Sequence, residues 1–202
     1  MAGFDETIVR EYFELNNFFV RQLRKHAVQT RRKQFEDVSH LLIHNPAAPV
    51  AVGRGFQLFA SDMEKLRFAM VGIKSWNSTK FTPIVLKSSS KTLEFIKKEV
   101  VAKADAYFQS EHREDDEELD PYGEYPKFLV VPAYPTSEAH RDECTALLKA
   151  KGVDGVIAFS TILESLLKHV AVNHSYPHSD VMQLLRVFKL YGMIREPQMT
   201  LF

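Results

Sequence analysis

The stretch Leu66-Arg67-Phe68-Ala69-Met70-Val71-Gly72-Ile73-Lys74-Ser75-Trp76 decides the architecture. Its apolar run Phe68-Ala69-Met70-Val71 reads as a buried strand, the third of the chain. Working back from it, Pro46 to Gly55 is rich in Pro, Ala and Gly and reads as a loop. Val38 to His44 is a clear second strand, closed by Asn45-Pro46. Phe18 to Gln29 reads as a first strand anchored by Phe19, Leu23 and Val28, with basic residues interrupting it. Before it, Ile8, Val9, Tyr12, Phe13 and Leu15 recur at helical spacing, so Asp5 to Asn17 reads as a helix that Asn16-Asn17 ends.

Working forward, Thr92 to Phe108 is a helix carrying Leu93, Phe95, Ile96, Val100, Val101 and Ala104. Lys127 to Pro132 and Val153 to Phe159 are short apolar runs of buried-strand type. Ser137 to Lys151 is a helix stopped by Gly152, Thr161 to Val172 another, and Ser179 to Tyr191 a last one, capped by Ser179 and stopped by Gly192. The order α-β-β-β-α-β-α-β-α-α predicts an α/β fold, a mixed central sheet flanked by helices. The last helices form a C-terminal appendage: residues 1–172 make the main domain, 173–197 a helical extension, and 198–202 a tail.

The 202 residues are 45% hydrophobic and 26% charged, enough apolar content for a real core. Lys+Arg and Asp+Glu are 26 each, which excludes a wholly basic nucleic-acid coat protein but not a local basic patch. A single cysteine, Cys144, excludes an internal disulfide and a multi-cysteine zinc site. No apolar run is long enough to span a bilayer, and Met1 to Glu6 has no secretory character, so a cytoplasmic location is expected.

The charge is segregated. Arg21, Arg24, Lys25, Arg31, Arg32 and Lys33 fall between Val20 and Gln34 with no acid among them. Such a hairpin can neutralise several phosphates, or can simply blunt an edge strand. The acids gather in Glu111, Glu114, Asp115, Asp116, Glu117, Glu118 and Asp120, a solvated loop whose spacing matches no calcium site.

The helix, three strands, helix and strand of the first two thirds resemble the core of the PD-(D/E)xK (restriction-endonuclease-like) nuclease superfamily. That resemblance implies an acid on the second strand and an acid-x-Lys on the third. Two carboxylates on adjacent strands hold Mg²⁺ against the scissile phosphate, and the lysine steadies the attacking water or the developing charge. Lys74 matches the family lysine, but two residues before it stands Gly72, and His40 stands where the second-strand acid is expected. Asp37 could serve in another register, and Glu11 and Glu14 on the first helix are further candidates. Too few hard oxygen ligands remain, and imidazole suits softer metals. The expectation is a nuclease-like domain without catalysis and without a resident metal. The alternative is an ordinary strand-end lysine on another α/β arrangement. His40 and His44 lie on one strand face and read as a polar pair, while His169, His174 and His178 match no zinc spacing.

The chain ends Gln198-Met199-Thr200-Leu201-Phe202. This pentapeptide closely resembles the bacterial sliding-clamp-binding motif, which runs Gln, Leu or Met, a small or polar residue, then Leu-Phe. The Gln amide can both donate and accept hydrogen bonds, Met199 adapts to an irregular subsite, and Leu201 and Phe202 can each gain about 1.5–3 kcal/mol on burial. Pro197 keeps the segment out of the preceding helix. The competing reading has Leu201 and Phe202 plugging the chain's own core.

The expected function is therefore a non-catalytic, nucleoid-associated protein of DNA replication or repair, with DNA and the sliding clamp as partners. The alternatives are a clamp-guided, Mg²⁺-dependent endonuclease using Lys74 with Asp37, Glu11 or Glu14, and a homodimeric or larger structural module whose tail is core packing.

Overall fold

The computed structural model describes residues 3–23, 38–49, 55–74, 82–103 and 125–194. Helix α1 (Phe4–Leu15) buries Ile8, Val9, Tyr12 and Phe13. Asn17 follows it with φ 64°, and the Phe18 N–H donates to the Phe13 carbonyl, turning the chain into strand β1 (Phe19–Leu23). Strand β2 (Val38–His44) spans the residues its apolar pattern predicts, and β4 (Phe68–Lys74) lies within the predicted third strand. The predicted remainder of the first strand, from Arg24 to Gln29, lies outside the described residues.

Between β2 and β4 the chain makes a two-residue strand β3 (Gln57–Leu58) and a 3₁₀ segment Ala60–Lys65. After β4 come the short helix α2 (Pro83–Lys87) and helix α3 (Ser89–Phe95), with a π turn (Ile96–Val100) and a 3₁₀ turn (Val101–Lys103) extending α3. Thr82 and Ser88 cap the two helices through their side-chain oxygens. Strand β5 (Lys127–Val131), helix α4 (Glu138–Lys149), strand β6 (Gly155–Ala158), helix α5 (Phe159–His169) and helix α6 (Asp180–Leu190) complete the order. The apolar run expected to carry β6 through Phe159 breaks one residue earlier, because Phe159 already begins α5.

The sheet order is β1-β2-β4-β5-β6-β3. The pairs β1–β2 and β2–β4 are antiparallel, whereas β4–β5, β5–β6 and β6–β3 are parallel. The fold is thus mixed α/β with helices on both sheet faces, as the element order predicts. On one face Leu41, Ile43, Val71, Ile73, Phe128, Val130 and Ile157 meet α1, α5 and Met182 of α6. On the other, Leu129, Val131, Val156 and Ala158 meet Leu93, Ile96 and Val100 from α3 and its π turn, with Cys144 and Leu148 from α4.

The last helix is tied to the body. The Ser179 hydroxyl accepts from Met182 N–H, Arg186 Nε donates to the Val172 carbonyl at 2.9 Å, and Lys189 Nζ donates to the Val170 carbonyl at 2.9 Å. Met182 sits in the same core as α1, so α6 completes the domain's apolar layer. None of the helices among the described residues is long and apolar enough to cross a membrane.

Candidate functional site

Strand pairing decides which side chains share a face. Directly opposed residues of neighbouring strands project to the same side. In the β2–β4 ladder His40 lies opposite Gly72, and Val38 opposite Lys74. In the β1–β2 ladder Phe19 lies opposite His44, and Arg21 opposite Leu42. Across the parallel pair, Met70 is matched with Lys127 and Gly72 with Leu129. Phe19, Arg21, His40, His44, Lys74 and Lys127 therefore all stand on one face, the Lys74 face. No strand among the described residues carries an Asp or Glu, and the opposite face, against α1, carries no charge at all.

The Lys74 face is graded. Lys74 and His40 are each only 4% exposed, and each is engaged by a neighbouring group. A buried ammonium persists only where partners replace its water. Towards the β1 edge the face opens: Arg21 and His44 are exposed and Leu42 is half-buried. Phe19 is 71% exposed. Phe19, expected as an apolar anchor of the first strand, begins that strand but points into solvent. The two-residue period turns Val20 towards the α1 core and sends Phe19 out with Arg21.

The candidate nuclease centre divides. Lys74, Gly72 and His40 come together on adjacent strands, with His40 directly opposite Gly72. Glu11 and Glu14 do not join them, since α1 packs on the opposite face. Glu14 is exposed, and its carboxyl is pushed up by partial desolvation and then by Glu11, with Arg10 opposing. Asp37 lies outside the described residues. Among the described residues there is no group of three or more His, Cys, Asp or Glu that could hold a metal ion.

Of the basic hairpin, Arg21 is described, and Arg24, Lys25, Arg31, Arg32 and Lys33 lie outside the described residues. So do Gln198, Met199, Leu201 and Phe202, together with the acidic stretch Glu111 to Asp120. His169 Nδ1 is 2.8 Å from the Ser165 carbonyl oxygen, and the His174 ring centroid stands 6.5 Å from that of Tyr176. Burial pushes the Cys144 thiol up to about 11, against a hydrogen bond from Tyr134 that lowers it, so the sulfur stays protonated and unreactive.

Sequence reasoning also missed a buried acid. Glu6 is 2% exposed, and its carboxylate has Arg10 Nη2 at 3.6 Å but no hydrogen-bond donor among the described residues. Nearby in sequence, burial and then the charge of Asp62 push the Tyr12 phenol up. Both belong to the helix on the uncharged face and stand apart from Lys74.

No protein-family model, curated protein or solved structure matches this chain.

Proposed function

We propose that this chain is a DNA-associated protein that docks on the bacterial replicative sliding clamp and acts at the nucleoid in replication or repair without cutting DNA. The observation that carries the reading is the segment Gln198-Met199-Thr200-Leu201-Phe202, whose residue types and spacing fit the clamp-binding motif. A clamp-held protein needs little intrinsic DNA affinity, because tethering raises its effective concentration on the duplex.

Two features of the fold support the DNA half of the reading. Apart from the interposed two-residue β3 and the short α2, the antiparallel run β1-β2-β4, followed by α3 and the parallel strand β5, follows the order that the nuclease-like resemblance implies. The sheet's charge is all basic and all on one face, which suits a polyanion. Gly72 beside His40, where paired carboxylates would hold Mg²⁺, supports a non-catalytic role.

The test is binding of the full chain, and of a chain lacking Gln198–Phe202, to a purified bacterial sliding clamp. Micromolar binding that disappears on truncation is the expected result. Equal binding by both forms, or none by either, overturns the clamp reading. The endonuclease reading rests on Lys74 at the family's position. Mg²⁺-dependent cleavage of DNA that Lys74→Ala abolishes would put it in place of the non-catalytic one.

A further inference from the structure

We infer that the open part of the Lys74 face, at the β1 edge of the sheet, is a stacking platform for single-stranded DNA. The inference rests on the DNA half of the reading above and adds the form of nucleic acid. Phe19, Arg21, Leu42 and His44 form it. The first two are on β1, the others directly across on β2, and all point to the same side. Phe19 is 71% exposed although it sits in a regular strand beside a well-filled core. An aromatic ring left in water at the first pair of a ladder, with an exposed imidazole opposite and an exposed guanidinium two residues along, offers a base three things. These are an apolar plane, a second ring at the adjacent position, and a fixed cation for the phosphate.

Charge picks the occupant. Every charged or titratable side chain of the described strands lies on this face, and all are basic. An acidic strand with flat apolar bases matches both halves of this composition. A duplex does not, because its bases are stacked inside and could not reach the Phe19 ring without being flipped out. A protein partner would have to set an acid against Arg21 and a flat apolar group against Phe19 at once, whereas every nucleotide carries both.

The experiment uses the full chain and two fluorescein-labelled probes, a twelve-nucleotide oligothymidylate and a duplex of equal length, titrated over a range of salt. The single strand is expected to bind more tightly than the duplex. Phe19→Ala should weaken single-strand binding by roughly ten-fold or more, while Phe19→Trp restores it. Arg21→Gln should flatten the plot of log K against log salt by about 0.7, the contribution of one phosphate. Phe19 touches solvent, so the Ala variant should fold, and sedimentation of each variant checks its mass. Single-strand binding unchanged by Phe19→Ala overturns the platform. A preference for duplex overturns it too and leaves the DNA reading standing. Absence of binding to either probe overturns both, while clamp binding is decided separately by the truncation. A mass that halves in Phe19→Ala would show that a second copy of the chain covers this face, and would overturn the platform as well.

Discussion

The two faces of the sheet have been built under different rules. On the face against α1, every described strand residue is uncharged, and Leu41, Ile43, Val71, Phe128 and Val130 are fully buried beneath three helices. On the Lys74 face, α3 and α4 cover β5 and β6, while β1 and part of β2 stay open and basic. An uncharged, covered face supplies burial, the dominant favourable contribution to folding. An open face with an outward phenylalanine and a cation gives up burial that the same residues could have had. The difference separates what holds the molecule together from what it presents to a partner, and it can be broken or sharpened by substitution.

The largest effect is expected on the covered face. Phe13 is fully buried, with edge-on ring contacts to Tyr12 at 5.3 Å and Phe18 at 5.5 Å between centroids. Phe13→Ala should cost about 3–5 kcal/mol in urea unfolding, from lost transfer energy and the cavity left behind. A loss under about 1 kcal/mol would mean that α1 is not held on the sheet as described.

Next comes Gly155→Ala. Gly155 lies opposite Phe128 in the β5–β6 ladder, on the α1 face. An added Cβ would stand 3.0 Å from two Phe128 ring carbons and 3.1 Å from the Phe56 carbonyl oxygen. The backbone angle is an ordinary one there, so the cost is steric. About 1–3 kcal/mol of destabilisation is expected, typical of overpacking in a tight core. Gly155→Ala with unchanged stability would show that Phe128 can move aside.

Much of this architecture was legible in the residues, and the reasons differ by element. Val38–His44 and Lys127–Val131 are short apolar runs ended by Asn45-Pro46 and Pro132, so length and punctuation together mark them. Gly152 and Gly192 stop helices with φ of 74° and 65°, a conformation in which other residues are strained. Strand β3 was not legible. Its two residues exist as a strand only because Gln57 and Leu58 pair with Val156 and Ile157, far along the chain. The π turn after α3 was hidden as well, since Ile96 and Val100 keep an apolar pattern that an α-helix would share. At the candidate site, the absence of a carboxylate two residues before Lys74 could be read from Gly72 alone. That α1 lies across the sheet from Lys74, which separates Glu11 and Glu14 from it, is a fact of layering that no local pattern records. The exposure of Phe19 was encoded in the alternation Phe19-Val20-Arg21-Gln22, which the apolar content of the segment obscured.

The covered part of the Lys74 face has its own signature, in pH. Burial raises the Cys144 thiol from 9.0 to about 11 in the fold. Between these values the unfolded chain has lost its proton and the folded chain keeps it. Stability is therefore fully present below pH 9 and falls as pH rises towards 11. The loss has a ceiling of roughly 2–3 kcal/mol for such a rise. Thermal unfolding from pH 8 to 10 should show the decline, and Cys144→Ala should flatten it over that range. A decline of equal slope in the Ala variant would assign it to the buried tyrosines instead.

The smallest effect on stability belongs to Phe19→Ala, and its size relative to Phe13→Ala sharpens the comparison most. Both remove a phenyl ring from the same short stretch of chain, one on each side of the turn at Asn16-Asn17. Only the Phe13 ring leaves water when the chain folds. Phe19→Ala forfeits strand propensity and what the cross-strand position opposite His44 contributes, together less than about 1 kcal/mol. The ratio of the two urea-derived losses should thus exceed about three, and it should not change with protein concentration. A concentration-dependent loss at Phe19 as large as that at Phe13 would mean that a second copy of the chain buries the ring, and the open face would then be an interface between copies. A small loss in stability together with a large loss in single-strand binding separates the two roles of the sheet, because a residue that holds the fold cannot be removed at so little cost.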